Sequence, residues 1–185
     1  TAVGKDALKT NTTGSSNAAL GENSLENNTT GSSNTGIGKD ALRANTTASD
    51  NTAVGHEALE LNSTGASNTI VGSGAGRSNT TASNNTGVGY YALRANTTGS
   101  ENTAIGYQAL KVNTTGNPNT AIGANALDAN TTGGSNTAVG KDALGVNITG
   151  GSNTAVGRGS LQANLGNSNT GLGAYALQTN TTGQY

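Results

Sequence analysis

Branched apolar residues recur at a fixed interval along this chain. Each is followed at once by Gly, and in ten of eleven cases a Leu stands four residues after that Gly. The interval is marked by Asn17, Asn34, Asn51, Asn68, Asn85, Asn102, Asn119, Asn136 and Asn153, each 17 residues apart, with Asn169 following after 16. Eleven units result: 1–16, 17–33, 34–50, 51–67, 68–84, 85–101, 102–118, 119–135, 136–152, 153–168 and 169–185. Their consensus is N-T-A-V-G-x-x-A-L-x-x-N-T-T-G-x-x, and positions are numbered here from the leading Asn. Self-similarity at a fixed period marks a repeat architecture. The first unit lacks its Asn and the tenth has lost one residue after Leu165. Residues 1–185 read as one repeat domain without an internal linker, its ends falling inside the pattern as in a segment of a longer fibre.

A unit of this length is too short for the two helices of a helical repeat. Gly at position 5 and Asn-Thr-Thr-Gly at positions 12–15 would break any helix. The unit suits one coil of a parallel β-solenoid (β-roll), so the predicted fold is all-β, with eleven stacked coils about 4.8 Å apart and a rod about 50 Å long. One strand is predicted at T-A-V-G and a second over positions 9–13. Period-2 alternation then places position 4 (Val3 to Leu172), Leu at position 9 and the small or apolar residues at position 11 (Ala44, Leu61, Val112, Val146) inside. Positions 6, 7 and 10 face out, position 10 carrying Lys9, Glu26, Arg43, Glu60, Arg94, Lys111 and Asp128. Position 3 also faces out on this reading. Ala2, Ala19, Gly36, Ala53, Ile70, Gly87, Ala104, Ala121, Ala138, Ala155 and Gly171 then form a stripe of small side chains, interrupted by Ile70, on which another chain could dock. The fifth unit has Gly76 in place of the core Leu, so a thinner core is expected there, and Gly76→Leu is expected to stabilise.

Asn at position 12 is predicted to form a ladder along the axis, because stacked identical Asn side chains can bond to one another. Asn-x-Thr at that position in ten units is also a glycosylation signal, but a motif repeating with the coil is explained by the coil.

Composition narrows the function. Leu, Ile and Val total 27, with no Phe, Trp, Met or Cys, so neither a thick aromatic core nor a disulfide framework is available. Two large apolar side chains per coil make a thin core, for which a partner chain would be a large help. A net charge of −1 argues against nucleic acid, and no apolar run suits a membrane span. Catalysis needs unlike residues brought together once, whereas nearly every polar residue here is periodic. His56 is the one histidine and sits at a turn position that is Lys in Lys5, Lys39 and Lys141. Gly72-Ser-Gly74-Ala-Gly76 is followed by no P-loop lysine, and no metal-ligand spacing occurs. No catalytic residue, cofactor site or metal site is therefore expected. Tyr90, Tyr91, Tyr107 and Tyr175, at positions 6 and 7, form a candidate ligand ridge along one outer edge, suited to carbohydrate or protein contact.

The N-T-A-V-G and N-T-A-I-G segments, with N-T-A-I-G-Y-Q-A-L and N-T-T-G, resemble the head repeats of YadA-like trimeric autotransporter adhesins and related bacterial surface and phage tail-fibre repeats. The resemblance covers the whole chain. It implies a left-handed parallel β-roll, trimerised along its length, outside the cell or on a virion tail fibre, and used for attachment to host surfaces. The unit here is longer than that family's usual repeat, and its A-L-x-x-N-T-T-G half differs from the usual second half. Three functional classes follow: a head or shaft segment of an adhesive fibre; an ice-binding protein using a flat Asn/Thr face, with ranks such as Asn96 and Thr98; and a filament built by end-to-end stacking.

Overall fold

The computed structural model describes residues 1–183; Tyr185, the last position of the eleventh unit, lies outside the described residues. Eleven short strands, from Ala2–Val3 and Ala18–Leu20 to Thr170–Leu172, form one parallel sheet in chain order among the described residues. Each strand pairs with its own equivalent in the next unit, so Thr103 lies beside Thr120, Ala104 beside Ala121 and Ile105 beside Ile122. The chain is an all-β parallel solenoid.

The second predicted strand is a turn. Positive φ recurs at position 7 (Asn125 at 55°), at position 9 (Leu127 at 51°) and, save at Pro118, at position 17 (Ser135 at 59°). A backbone that changes hand at every second residue cannot run as an extended strand. Adjacent coils are nevertheless bonded there. The N–H of Leu127 donates to the carbonyl of Ala143 in the coil ahead, and that of Asn125 to the carbonyl of Tyr107 in the coil behind. Position 11 consequently turns outward: Leu61 and Val146 are exposed, and Ala44 and Val112 are half-buried.

The faces of the remaining strand are the reverse of those expected. Ala19, Gly36, Ala53, Ile70, Gly87, Ala104, Ala121, Ala138, Ala155 and Gly171 lie inside, and only Ala2, in the terminal coil, is exposed. The branched residues at position 4 point outward, with Ile105 39% and Val88 38% exposed. Positions 1 and 3 share a strand face, so once the leading Asn of a unit turns inward the small residue two places on follows it. The interior is narrow. A Cβ on Gly36 would already sit 3.3 Å from Leu25 Cγ, and only a residue of about Ala size fits opposite the Leu. A consensus coil thus buries Ala at position 3, Ala at position 8 and Leu at position 9, as in Ala104, Ala109 and Leu110.

Two ladders of buried Asn frame this core. At position 12, Nδ2 of Asn28 donates to Oδ1 of Asn11 (2.7 Å), and the chain of bonds runs on through Asn113 to Asn96 (2.8 Å) and Asn147 to Asn130 (3.1 Å). The same Nδ2 groups donate to the carbonyl at position 15, as Asn113 does to Gly116 (3.0 Å). At position 1, Oδ1 of Asn102 accepts from the backbone N–H of Asn119 (2.9 Å), while its Nδ2 donates to Gly116 (3.0 Å). With the amides buried and donating inward, the Asn-x-Thr sequons of the internal coils present no free amide for a glycan.

Gly76 leaves no void. Ile70, fully buried, reaches from position 3 into the space of the missing Leu, and a Cβ on Gly76 would meet Ile70 Cγ1 and Cγ2 at 3.4 Å and Leu59 Cδ2 at 3.2 Å. The residual gap among Leu59, Ile70, Gly76 and Leu93 admits no water. The expectation that Gly76→Leu stabilises is therefore reversed. Ile70→Ala should cost about 2–5 kcal/mol by leaving a cavity, and Gly76→Leu about 1–3 kcal/mol by overpacking. The double variant restores the consensus pair and should cost far less than the sum. Urea denaturation of the four proteins measures the coupling, and additive effects would refute the exchange.

Candidate functional site

Two surfaces depart from an ordinary solvated exterior. The first is the outer face of the sheet. Position 2 is Thr in ten of eleven units and position 4 is always Val, Ile or Leu. The sheet therefore presents a rank of Thr beside a rank of aliphatic side chains, with no charged side chain in either. A pleat of three residues by eleven strands makes this face on the order of 500 Å², of which the position-4 rank is the apolar part.

The Asn/Thr face expected for ice binding is not assembled. Asn96 is buried in its ladder and only its companion Thr98 reaches solvent. Thr at position 13, which lies between them, spends its hydroxyl on the coil ahead, as Thr97 Oγ1 does on the carbonyl of Thr114 (3.0 Å).

The second surface is the outer turn over positions 6–11. Tyr90, Tyr107 and Tyr175 are exposed and Tyr91 is half-buried, so the ridge exists. Tyr90 stacks on Tyr91 with ring centroids 3.8 Å apart and on Tyr107 at 5.7 Å. Tyr175, in the last coil, is remote from that group and lies under the Arg158 guanidinium at 5.5 Å. Each Tyr at position 7 rests on a glycine one coil back: a Cβ on Gly74 would strike the Tyr91 ring, and one on Gly159 would come within 2.9 Å of Tyr175. His56 is an exposed turn residue, 4.0 Å from Glu57.

Position 10 forms a charge ladder that periodicity alone could not rank. Lys9 lies 3.9 Å from Glu26, and Glu60, only 5% exposed, accepts from Arg43 and from Arg77 Nε (2.7 Å). Further on, burial raises the Asp128 carboxyl above its usual range against the pull of Lys111, whereas a hydrogen bond from Lys141 lowers that of Asp142. Among the described residues, no three His, Cys, Asp or Glu side chains converge on a common point.

Glu60 is the keystone of the ladder. Glu60→Gln should cost about 1–3 kcal/mol, discounted because both arginines are partly exposed. The loss should be larger at low salt, where the cations left without their carboxylate are least screened. Denaturation midpoints at two ionic strengths check it, and an unchanged midpoint at low salt would contradict it.

Compared with protein-family models, with curated proteins and with solved structures, the chain matches none.

Proposed function

We propose that this chain is a non-enzymatic rod segment of an adhesive fibre at a cell surface or on a virion tail, assembled from parallel copies that bury their Thr/aliphatic sheet faces against one another. The observation that carries the reading is the unbroken aliphatic rank at position 4. Side chains such as Val88, Ile105 and Ile122 stand more than a third exposed on an uncharged, regular face. A continuous exposed aliphatic rank of this kind favours association. The stripe first expected to serve as the interface is internal, so the docking role passes to its neighbours in the strand. Three copies around one axis, the arrangement implied by the resemblance, would close without leaving this face open.

The regular rank of Thr beside the aliphatic rank favours a second reading, in which the same face orders water at an ice surface. The mass in solution separates them. Fibre assembly predicts a multiple of the 18.0 kDa chain mass, trimeric on the reading above. Val88→Lys with Ile105→Lys should shift that mass to the monomer without altering the β-rich circular dichroism. A monomeric parent protein with thermal hysteresis would replace the fibre reading with the ice reading.

A further inference from the structure

We propose that coils five to seven carry a binding site for a uronic-acid saccharide, on the outer turn and separate from the sheet face. The starting observation is a break in charge alternation. Along position 10 the signs run Lys9, Glu26, Arg43, Glu60, Arg77, and then the order fails: Arg94 and Lys111 follow Arg77 before Asp128 restores a negative charge. Equivalent residues in successive coils sit beside one another in the parallel register, and like charges so placed repel.

Arg77 is satisfied by Glu57 (3.0 Å) and Glu60 (2.7 Å). Arg94 and Lys111 have no carboxylate within salt-bridge distance among the described residues. Arg94 instead lies over the Tyr91 ring at 4.4 Å, a cation–π contact that leaves its N–H donors without a carboxylate partner among the described residues. Lys111 Nζ donates to Gln108 Oε1 (3.5 Å), whose Nε2 donates to the Tyr107 hydroxyl (3.1 Å). The cations and the aromatic ridge are thus one connected group.

Along positions 10 and 11 of these three coils lies a groove of about 270 Å³, lined by Arg77, Ser78, Arg94, Ala95, Lys111 and Val112. Its lining combines the three cations at position 10 with Ser78, Ala95 and Val112 at position 11. That volume suits a sugar ring rather than a larger ligand. An Arg fork beside a Lys matches a carboxylate, and the stacked pair Tyr90 and Tyr107, outside the groove lining but joined to Lys111 through Gln108, offers an exposed amphipathic edge beside which a neighbouring pyranose can lie. A carboxylate on an otherwise neutral ring meets every feature of the site. Nucleic acid is disfavoured, because the chain as a whole carries a net charge of −1.

The test is a titration of the full chain with trigalacturonate, read by isothermal calorimetry and by the change in tyrosine fluorescence, which no Trp obscures. Saturable binding is expected, weakened about tenfold or more by Arg94→Ala, as for loss of one charge-assisted contact of about 1.4 kcal/mol or more. Tyr107→Ala should also weaken it, and the neutral galactotriose should fail to bind. Arg158→Ala, which removes the Arg over Tyr175, should leave binding unchanged. Circular dichroism of each variant verifies the fold. Absence of saturable binding by the parent protein, equal loss in Arg94→Ala and Arg158→Ala, or equal binding of inorganic phosphate would overturn the proposal, the last by reducing the site to a bare anion patch.

Discussion

Backbone packed directly on backbone at position 5 sets the spacing on which everything else in this rod depends. A Cβ on Gly21 would lie 2.5 Å from the carbonyl oxygen of Gly38, and the equivalent clash repeats along the stack. The φ of these residues lies between 120° and 142°, a region closed to other L-residues, so two independent constraints select Gly. Because no side chain intervenes, each coil sits at strand spacing over its neighbour, and every residue lands on its own equivalent. The Asn ladders, the Thr hydroxyl bonds and the charge alternation are all consequences of that superposition.

Superposition makes neighbouring coils answer one another. Where position 8 is Ser instead of Ala, position 3 of the next coil is Gly. Ser24 Oγ donates to the carbonyl of Gly36 (2.8 Å) and Ser160 Oγ to that of Gly171 (2.9 Å). The third glycine at position 3, Gly87, faces Ile70, whose Cδ1 would lie 2.8 Å from an added Cβ. Excess volume in one coil is therefore relieved in the next. The interior is close-packed even though its residues are small, and each local exchange stays local.

The solenoid, its period and the position-12 ladder were legible in the sequence because they rest on identity between units. The inside and outside of the strand were not. Branched apolar residues at position 4 look like core by hydropathy, but the narrow bore accepts only Ala or Gly beside Leu110 and its equivalents, and the parity of the buried Asn decides the matter. Leu at a positive φ, as at Leu127, gives no sequence signal, since Leu has no preference for that conformation; this is why a turn was read as a strand. The Tyr90–Tyr91–Tyr107 cluster was legible as an exposed ridge. Its union with Arg94 and Lys111 was not, because it needs the fold of the turn, although the failure of charge alternation after Arg77 stands in the sequence for a reader who already has the register.

The shortened tenth coil has a consequence for how the rod behaves as a cooperative object. Deletion of one residue after Leu165 interrupts the position-12 ladder, leaving Oδ1 of Asn147 buried without a partner before the ladder resumes from Asn164 to Asn180 (2.9 Å). In a one-dimensional array each unit is stabilised by its own folding and by its contact with the next, so a weakened contact acts as a fault line. Opening that begins at the end beyond Asn164 can halt there, with the coils up to Asn147 still closed. A single missing residue thus sets a weaker joint between a long block and a short one, a joint still spanned by the strand pairing and by the position-1 ladder from Asn136 to Asn153.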